Sequence, residues 1–134
     1  MALTKAQKQK ILEDLKEKIE REKIIIFIDF TGLKVKDIFS LRKKLKTVDS
    51  QLKVTKKTFA HIAFKESGLK IEIKKLKGEI AFVFGFQNEV SPAKTIFQFS
   101  QENPNLKILG GVLENRFVEA EKIIELAKIP AKEE

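Results

Sequence analysis

The segment Lys53-Val54-Thr55-Lys56-Lys57-Thr58-Phe59-Ala60-His61-Ile62-Ala63 carries the sharpest chemical signal in the chain. Its periodicity predicts a helix over 56–66 with Thr55 as the N-cap, so Lys56 and Lys57 fall in the first turn. The helix dipole already presents positive charge there, and acidic side chains are the usual choice. A bound anion resolves the conflict, because amide N–H groups and ammonium groups then converge on one phosphate. Lys57, His61 and Lys65 follow at i, i+4 and i+8, forming one stripe opposite Phe59 and Ala63. The alternative is a lysine-rich face that is only solvated, the usual fate of a charge run.

Other residues offer less chemistry. His61 is the single histidine, so a metal or catalytic role lacks partners, and a surface or RNA-facing position is expected. Asp29 ends an apolar run, where α/β enzymes place acids, but it stands alone and reads as a turn cap. Gly110-Gly111 matches no phosphate-loop pattern and reads as a bulge or a close backbone approach. Lys70, Lys74, Lys75 and Lys77 either extend the basic face or decorate a loop. No catalytic residue, metal ligand set or cofactor is predicted.

Charge is segregated. Residues 34–77 hold fourteen Lys/Arg against four Asp/Glu, more than the whole chain's net charge of +8. Such segregation points to one basic face that meets a polyanion. The 134 residues fit one domain with a real core, and a hydrophobic fraction of 43% fits a folded chain. There is no cysteine, which excludes disulfides and thiolate metal sites and fits a reducing cytoplasm. No secretory signal is visible, and the longest apolar run, Ile24 to Ile28, is far below the ~20 residues a membrane span needs. All the aromatics are Phe, core material first and base platforms second.

The elements that must position these residues follow from period. An amphipathic helix is predicted over 4–22, with Ile11, Leu12, Leu15 and Ile19 inward. Residues 23–28 read as a strand buried on both faces. A helix over 34–47 gathers Val35, Ile38, Phe39, Leu41 and Leu45 in an apolar arc, with Lys36, Lys43 and Lys44 opposite and Arg42 snorkelling from within the arc. Residues 51–54 form a short strand, 69–73 a possible one, and 80–84 a second deeply buried one. Ser91-Pro92 starts a helix with Ser91 as cap and Ala93, Ile96 and Phe97 inward. A strand over 106–112 and a helix over 119–128, with Ala120, Ile123, Ile124 and Ala127 inward, complete the chain. The predicted fold is α/β, a sandwich of a mixed β-sheet covered by helices, in a single domain spanning 1–134.

Several segments, in order, resemble one family. Ile28-Asp29-Phe30-Thr31-Gly32-Leu33-Lys34-Val35 resembles a strand followed by a GLTV turn, and Leu41-Arg42-Lys43-Lys44-Leu45 is similar to an LRxxLR helix. Val54-Thr55-Lys56-Lys57-Thr58-Phe59 resembles VVKNTL, and Gly78-Glu79-Ile80-Ala81-Phe82 resembles GPTAIAF. Leu109-Gly110-Gly111-Val112-Leu113-Glu114 is similar to KGGVLEG, and Leu126-Ala127-Lys128-Ile129-Pro130 opens a stretch similar to LAKLPSREE. These motifs, with a lysine-containing opening helix over 5–19, resemble the N-terminal domain of the large-subunit stalk-base protein, the ribosomal L-ten family, whose archaeal and eukaryotic relative is P-zero. Lys57 stands where the family commonly has Asn, Thr31 where it often has a basic residue, and Glu79 where it commonly has Pro.

The resemblance implies a structural protein of the large ribosomal subunit, located on the cytoplasmic ribosome, that binds large-subunit ribosomal RNA at the GTPase-associated centre. It implies a neighbouring L-eleven protein, and acidic L-seven/L-twelve stalk dimers that dock on a long C-terminal helix expected beyond Glu134. The expected RNA contacts are Lys5, Lys8, Lys36, Lys43, Lys44, Thr55, Lys56, Lys57, Thr58, His61 and Lys65. An alternative use of the same face is translational regulation by binding a messenger leader. A small α/β enzyme would need a clustered acid, base or nucleophile, which the sequence does not offer.

Overall fold

The computed structural model describes residues 4–73 and 76–130. Helix α1 (Lys5–Arg21) starts on a capping box: the Gln7 N–H donates to Thr4 Oγ1 at 3.1 Å, and the Thr4 N–H donates to Gln7 Oε1 at 2.9 Å. Strand β1 (Ile24–Asp29) follows, then α2 (Val35–Lys46), β2 (Ser50–Val54), α3 (Lys57–Glu66), β3 (Ile80–Gly85), α4 (Val90–Glu102), β4 (Lys107–Leu113), β5 (Arg116–Glu119) and α5 (Ala120–Lys128). Ile24 to Ile28 are fully buried, as a run without polar alternation requires of a central strand. Each such side chain contributes about 2 kcal/mol of hydrophobic burial.

The strand order is β2-β3-β1-β4-β5. Helices cover the sheet as expected, but all four pairings are antiparallel rather than mixed. Alternation along the chain suggests parallel neighbours, and β1 and β2 do point the same way across the α2 crossover. Strand β3 lies between them and runs the opposite way, which makes both contacts antiparallel.

Successive β1 residues feed two cores. Ile25 and Phe27 face α1, α3 and the 69–73 segment, where Phe27, Phe64 and Phe82 meet edge to face. Ile24, Ile26 and Ile28 face α2, α4 and α5. The 69–73 segment alternates as expected, burying Leu69, Ile71 and Ile73, but it forms no strand and acts as a strap over the first core.

Three local expectations change. Ser91 does not cap α4: Glu89 is the N-cap residue, and Asn88 Oδ1 accepts from the Ser91 N–H at 2.8 Å. Its buried side includes Phe99 as well as Ala93 and Ile96, with Phe97 half-buried against the same core, and α5 buries Ile123 and Ala127 while Ala120 and Ile124 are only half-buried. Strand β5 is additional. It forms a hairpin with β4 through Glu114 and Asn115, both at positive φ (53° and 63°). That is the two-residue turn normally written Asn-Gly, and Glu-Asn carries no such signal.

The Gly110-Gly111 pair behaves as a bulge. Phe27 pairs with Gly110 and Ile28 with Ile108, so Leu109 is an extra residue and the register shifts there.

Candidate nucleic-acid interface

Strand β2 is one of the two sheet edges, so its outer backbone has no ladder partner among the described residues. Helix α2 covers it on one face through Leu41 and Leu45. Helix α1 flanks it on the other, with Asp14 Oδ2 3.4 Å from Lys53 Nζ. Burial pushes the Asp14 carboxyl up, but Lys18 and Lys53 outweigh it and hold it below its ordinary value. Between these elements lies an open groove of about 1140 Å³. Its cations are Arg42, Lys43 and Lys46 from α2, Lys53 from β2 and Arg21 from α1, with Asp49 as the acid. Arg21 is held by Glu17 at 3.5 Å and lies over the Phe86 ring at 4.6 Å. Arg42, Lys43 and Lys46 form no ion pair among the described residues.

The face of α2 that borders the groove differs from the expected single apolar arc. Leu41 and Leu45 are buried and Ile38 half-buried, but Val35 is 67% and Phe39 57% exposed. Val35, Phe39, Arg42 and Lys46 recur at i, i+4, i+7 and i+11, a second stripe beside the buried one. Arg42 therefore stands in solvent beside the groove and does not snorkel from a core position. Its place inside a supposed apolar arc was the signal that the arc was two stripes.

The start of α3 differs from expectation as well. Lys56, not Thr55, is the N-cap residue, and no side chain caps the helix. Lys57 opens the helix, and its ammonium donates to the Leu76 carbonyl, tying the chain beyond the strap to α3. It is thus engaged within the fold, while Lys56 and Thr58 are exposed and Thr55 half-buried. The first turn contains no acid, as the sequence indicated.

The sheet positions the expected residues in two groups. Strands β1 and β2 finish, and β3 and β4 begin, at one end of the sheet. Lys36, Thr55, Lys56, Lys57 and Thr58 lie at that end, in the turns and helix starts that follow β1 and β2. The loops there are tied together. Thr31 N–H and Oγ1 donate to Asp29 Oδ1 at 3.0 and 2.6 Å, the Glu79 N–H donates to Thr31 Oγ1 at 3.0 Å, and Asn105 Nδ2 donates to the Gly32 carbonyl at 3.2 Å. Asp29 is therefore the turn cap expected. Burial pushes its carboxyl up, but the bonds from Thr31 and Glu79 and the nearby Lys107 leave it below its ordinary value.

Lys43 and Lys44 sit in the last turns of α2, towards the opposite end. Lys44 turns away from the groove, its ammonium 5.4 Å from the Phe99 ring centre. Lys65 lies in the last turn of α3, on the other face of the sheet from α2. His61 is half-buried, with Nδ1 buried and unpartnered among the described residues. Lys5 and Lys8 are exposed at the start of α1. Lys70 is exposed on the strap, while Lys74 and Lys75 lie outside the described residues.

A second groove, of about 830 Å³, lies where α1 passes into β1 and is lined by Glu22 and Ser67. Burial pushes the Glu22 carboxyl up to about 7, against the pull of Lys23. Such a group binds its proton more tightly in the folded chain, so it removes stability as pH rises from 4.5 through about 7. Glu22→Gln is expected to leave thermal stability unchanged near pH 4. At pH 8 it should raise it by about 1 kcal/mol, allowing for the group's partial exposure, or about 4 °C in melting temperature. Melting curves at the two pH values check this; an equal shift at both would contradict it.

The α2 cations without ion partners, Lys53 and an exposed aromatic ring line one groove beside the β2 edge, a class of surface whose charge is complementary to a polyanion. The sequence comparisons give the class a family. The profile of the family described as Ribosomal protein L10 matches residues 3–101. The large ribosomal subunit protein uL10 of Thermoanaerobacter sp. (strain X514) is 35% identical over 135 residues, covering 100% of this chain and 76% of that protein. The uL10 proteins of Pelotomaculum thermopropionicum and Phytoplasma mali are each 34% identical, covering 99% of this chain and 75% and 82% of their own lengths. The chain belongs to the ribosomal protein L10 family. Its role is accordingly structural, within the large ribosomal subunit, and it is not an enzyme. Among the described residues, no helix is long and apolar enough to cross a membrane.

Proposed function

We propose that this chain binds large-subunit ribosomal RNA at the GTPase-associated centre and serves there as the base of the stalk. The observation that carries the reading is the unpaired Arg42-Lys43-Lys46 face of α2, continuous along the β2 edge with Lys53. Lys36 and Lys56, exposed at the adjoining end of the sheet, extend it. Lys5, Lys8 and Lys65 are further exposed contacts, Lys44 and Lys57 act mainly within the fold, and His61 is half-buried. The L-eleven protein is the proposed neighbour on the same RNA. Helix α5 commits Ile123 and Ala127 to the sheet, so the proposed docking site of the acidic L-seven/L-twelve dimers lies outside the described residues.

Hydroxyl-radical footprinting on a GTPase-centre RNA fragment tests the site. Affinity is expected to fall with salt by a slope of about −0.7 to −0.9 per phosphate neutralised. A flat salt response, or a footprint elsewhere on the large-subunit RNA, would overturn the reading.

A further inference from the structure

Phe39 is more than half exposed, in the second turn of α2, with Arg42 following at i+3 and Lys46 at i+7. It lines the same groove as those two cations and Lys53. A surface that only neutralises phosphates has no use for an exposed apolar ring among its cations. A nucleobase does, because every base presents a π-face that stacks on an aromatic ring in water. The base faces of an A-form duplex are already covered by the neighbouring base pairs, whereas unpaired bases in loops and bulges are free to stack. Both walls of the groove are basic, and β2 supplies an unpaired backbone edge. Its five residues are about 17 Å long, the scale of a short run of extended nucleotides.

We propose that the groove beside β2 holds an unpaired segment of RNA, with one base stacked on Phe39 and the flanking phosphates on Arg42 and Lys46. The inference rests on the RNA-binding reading above and adds base recognition to it. Phosphate contacts alone fix position but do not read the strand. A stacked base makes the site select looped over fully paired RNA.

The test uses the GTPase-centre RNA fragment with wild type, Phe39→Ala, Phe39→Leu and Phe39→Tyr. Affinity, backbone protection and reactivity of unpaired bases to a base-modifying reagent are all measured. Phe39→Ala and Phe39→Leu are expected to weaken binding about ten-fold and to restore the reactivity of one unpaired base that wild type protects. Backbone protection stays in place, and Phe39→Tyr behaves as wild type. Full binding and unchanged base protection in Phe39→Ala would overturn the stacking proposal. So would a Phe39→Leu protein indistinguishable from wild type, since any apolar side chain would then suffice. A wild-type protein that protects no backbone would instead overturn the RNA-binding reading itself. The side chain is exposed, so none of these substitutions unfolds the domain.

Discussion

Gly111→Ala is expected to destabilise the domain by about 3 kcal/mol or more, a large fraction of the roughly 5–15 kcal/mol by which a domain of this size is usually stable. A Cβ at this position would stand 2.2 Å from the Ile25 carbonyl oxygen and 3.2 Å from Ile123 Cδ1. The first obstacle is backbone of the central strand. It cannot retreat without breaking the β1–β4 ladder in which Gly111 pairs with Ile26. Gly68→Ala is the comparison. Gly68 has φ +84°, so alanine is strained there, but a Cβ meets nothing within 4 Å; the expected loss is about 1 kcal/mol. Urea titrations of both variants decide the point, and equal midpoints would show that the β4 glycine is not needed for close approach.

The second large effect is on RNA binding. The triple substitution Arg42→Ala, Lys43→Ala, Lys46→Ala removes the unpaired cations of the groove. At about 1 kcal/mol per charged contact, affinity is expected to fall on the order of 100-fold near 0.15 M salt. The salt slope should become shallower by about 2 to 3. All three side chains are exposed, so stability should stay within about 0.5 kcal/mol. Lys44→Ala is the control: it removes one lysine from the same helix, but one directed at Phe99. A loss from Lys44→Ala that matches a third of the triple's effect would mean that bulk charge, not the groove, binds the RNA.

The parts of this molecule that sequence alone discloses are those where one physical term dominates. The runs around Ile26 and Val83 have no polar alternation, so both became strands buried on two faces. The helical spacing of Ile11, Leu12, Leu15 and Ile19 marked the first helix, and the charge count of residues 34–77 marked the basic region. Where two terms compete locally, the sequence misleads. Val35 and Phe39 are apolar and near in period to Ile38, so they were grouped with the core; only the position of β2 shows that their stripe has nothing to cover. Lys57 looked like a free phosphate contact because its partner, the Leu76 carbonyl, is nineteen residues away across the strap. Strand order is likewise non-local, and nothing near residues 24–54 announces that residues 80–85 will separate β1 from β2.

That insertion governs how the domain can be made. A nascent chain that has emerged only through Glu66 contains β1 and β2, which the finished sheet aligns in the same direction, but not the strand that lies between them. With strands about 4.8 Å apart, their places in the sheet are about 9.6 Å apart, too far for the two strands to bond to each other. Neither can complete its ladder until residues 80–85 leave the exit tunnel. Until then, the most hydrophobic strand of the protein presents two open edges, the state in which chains pair with their neighbours instead of themselves. The arrival of Ile80–Gly85 closes one edge of β1 and joins it to β2, and the other edge stays open until Lys107–Leu113 follows.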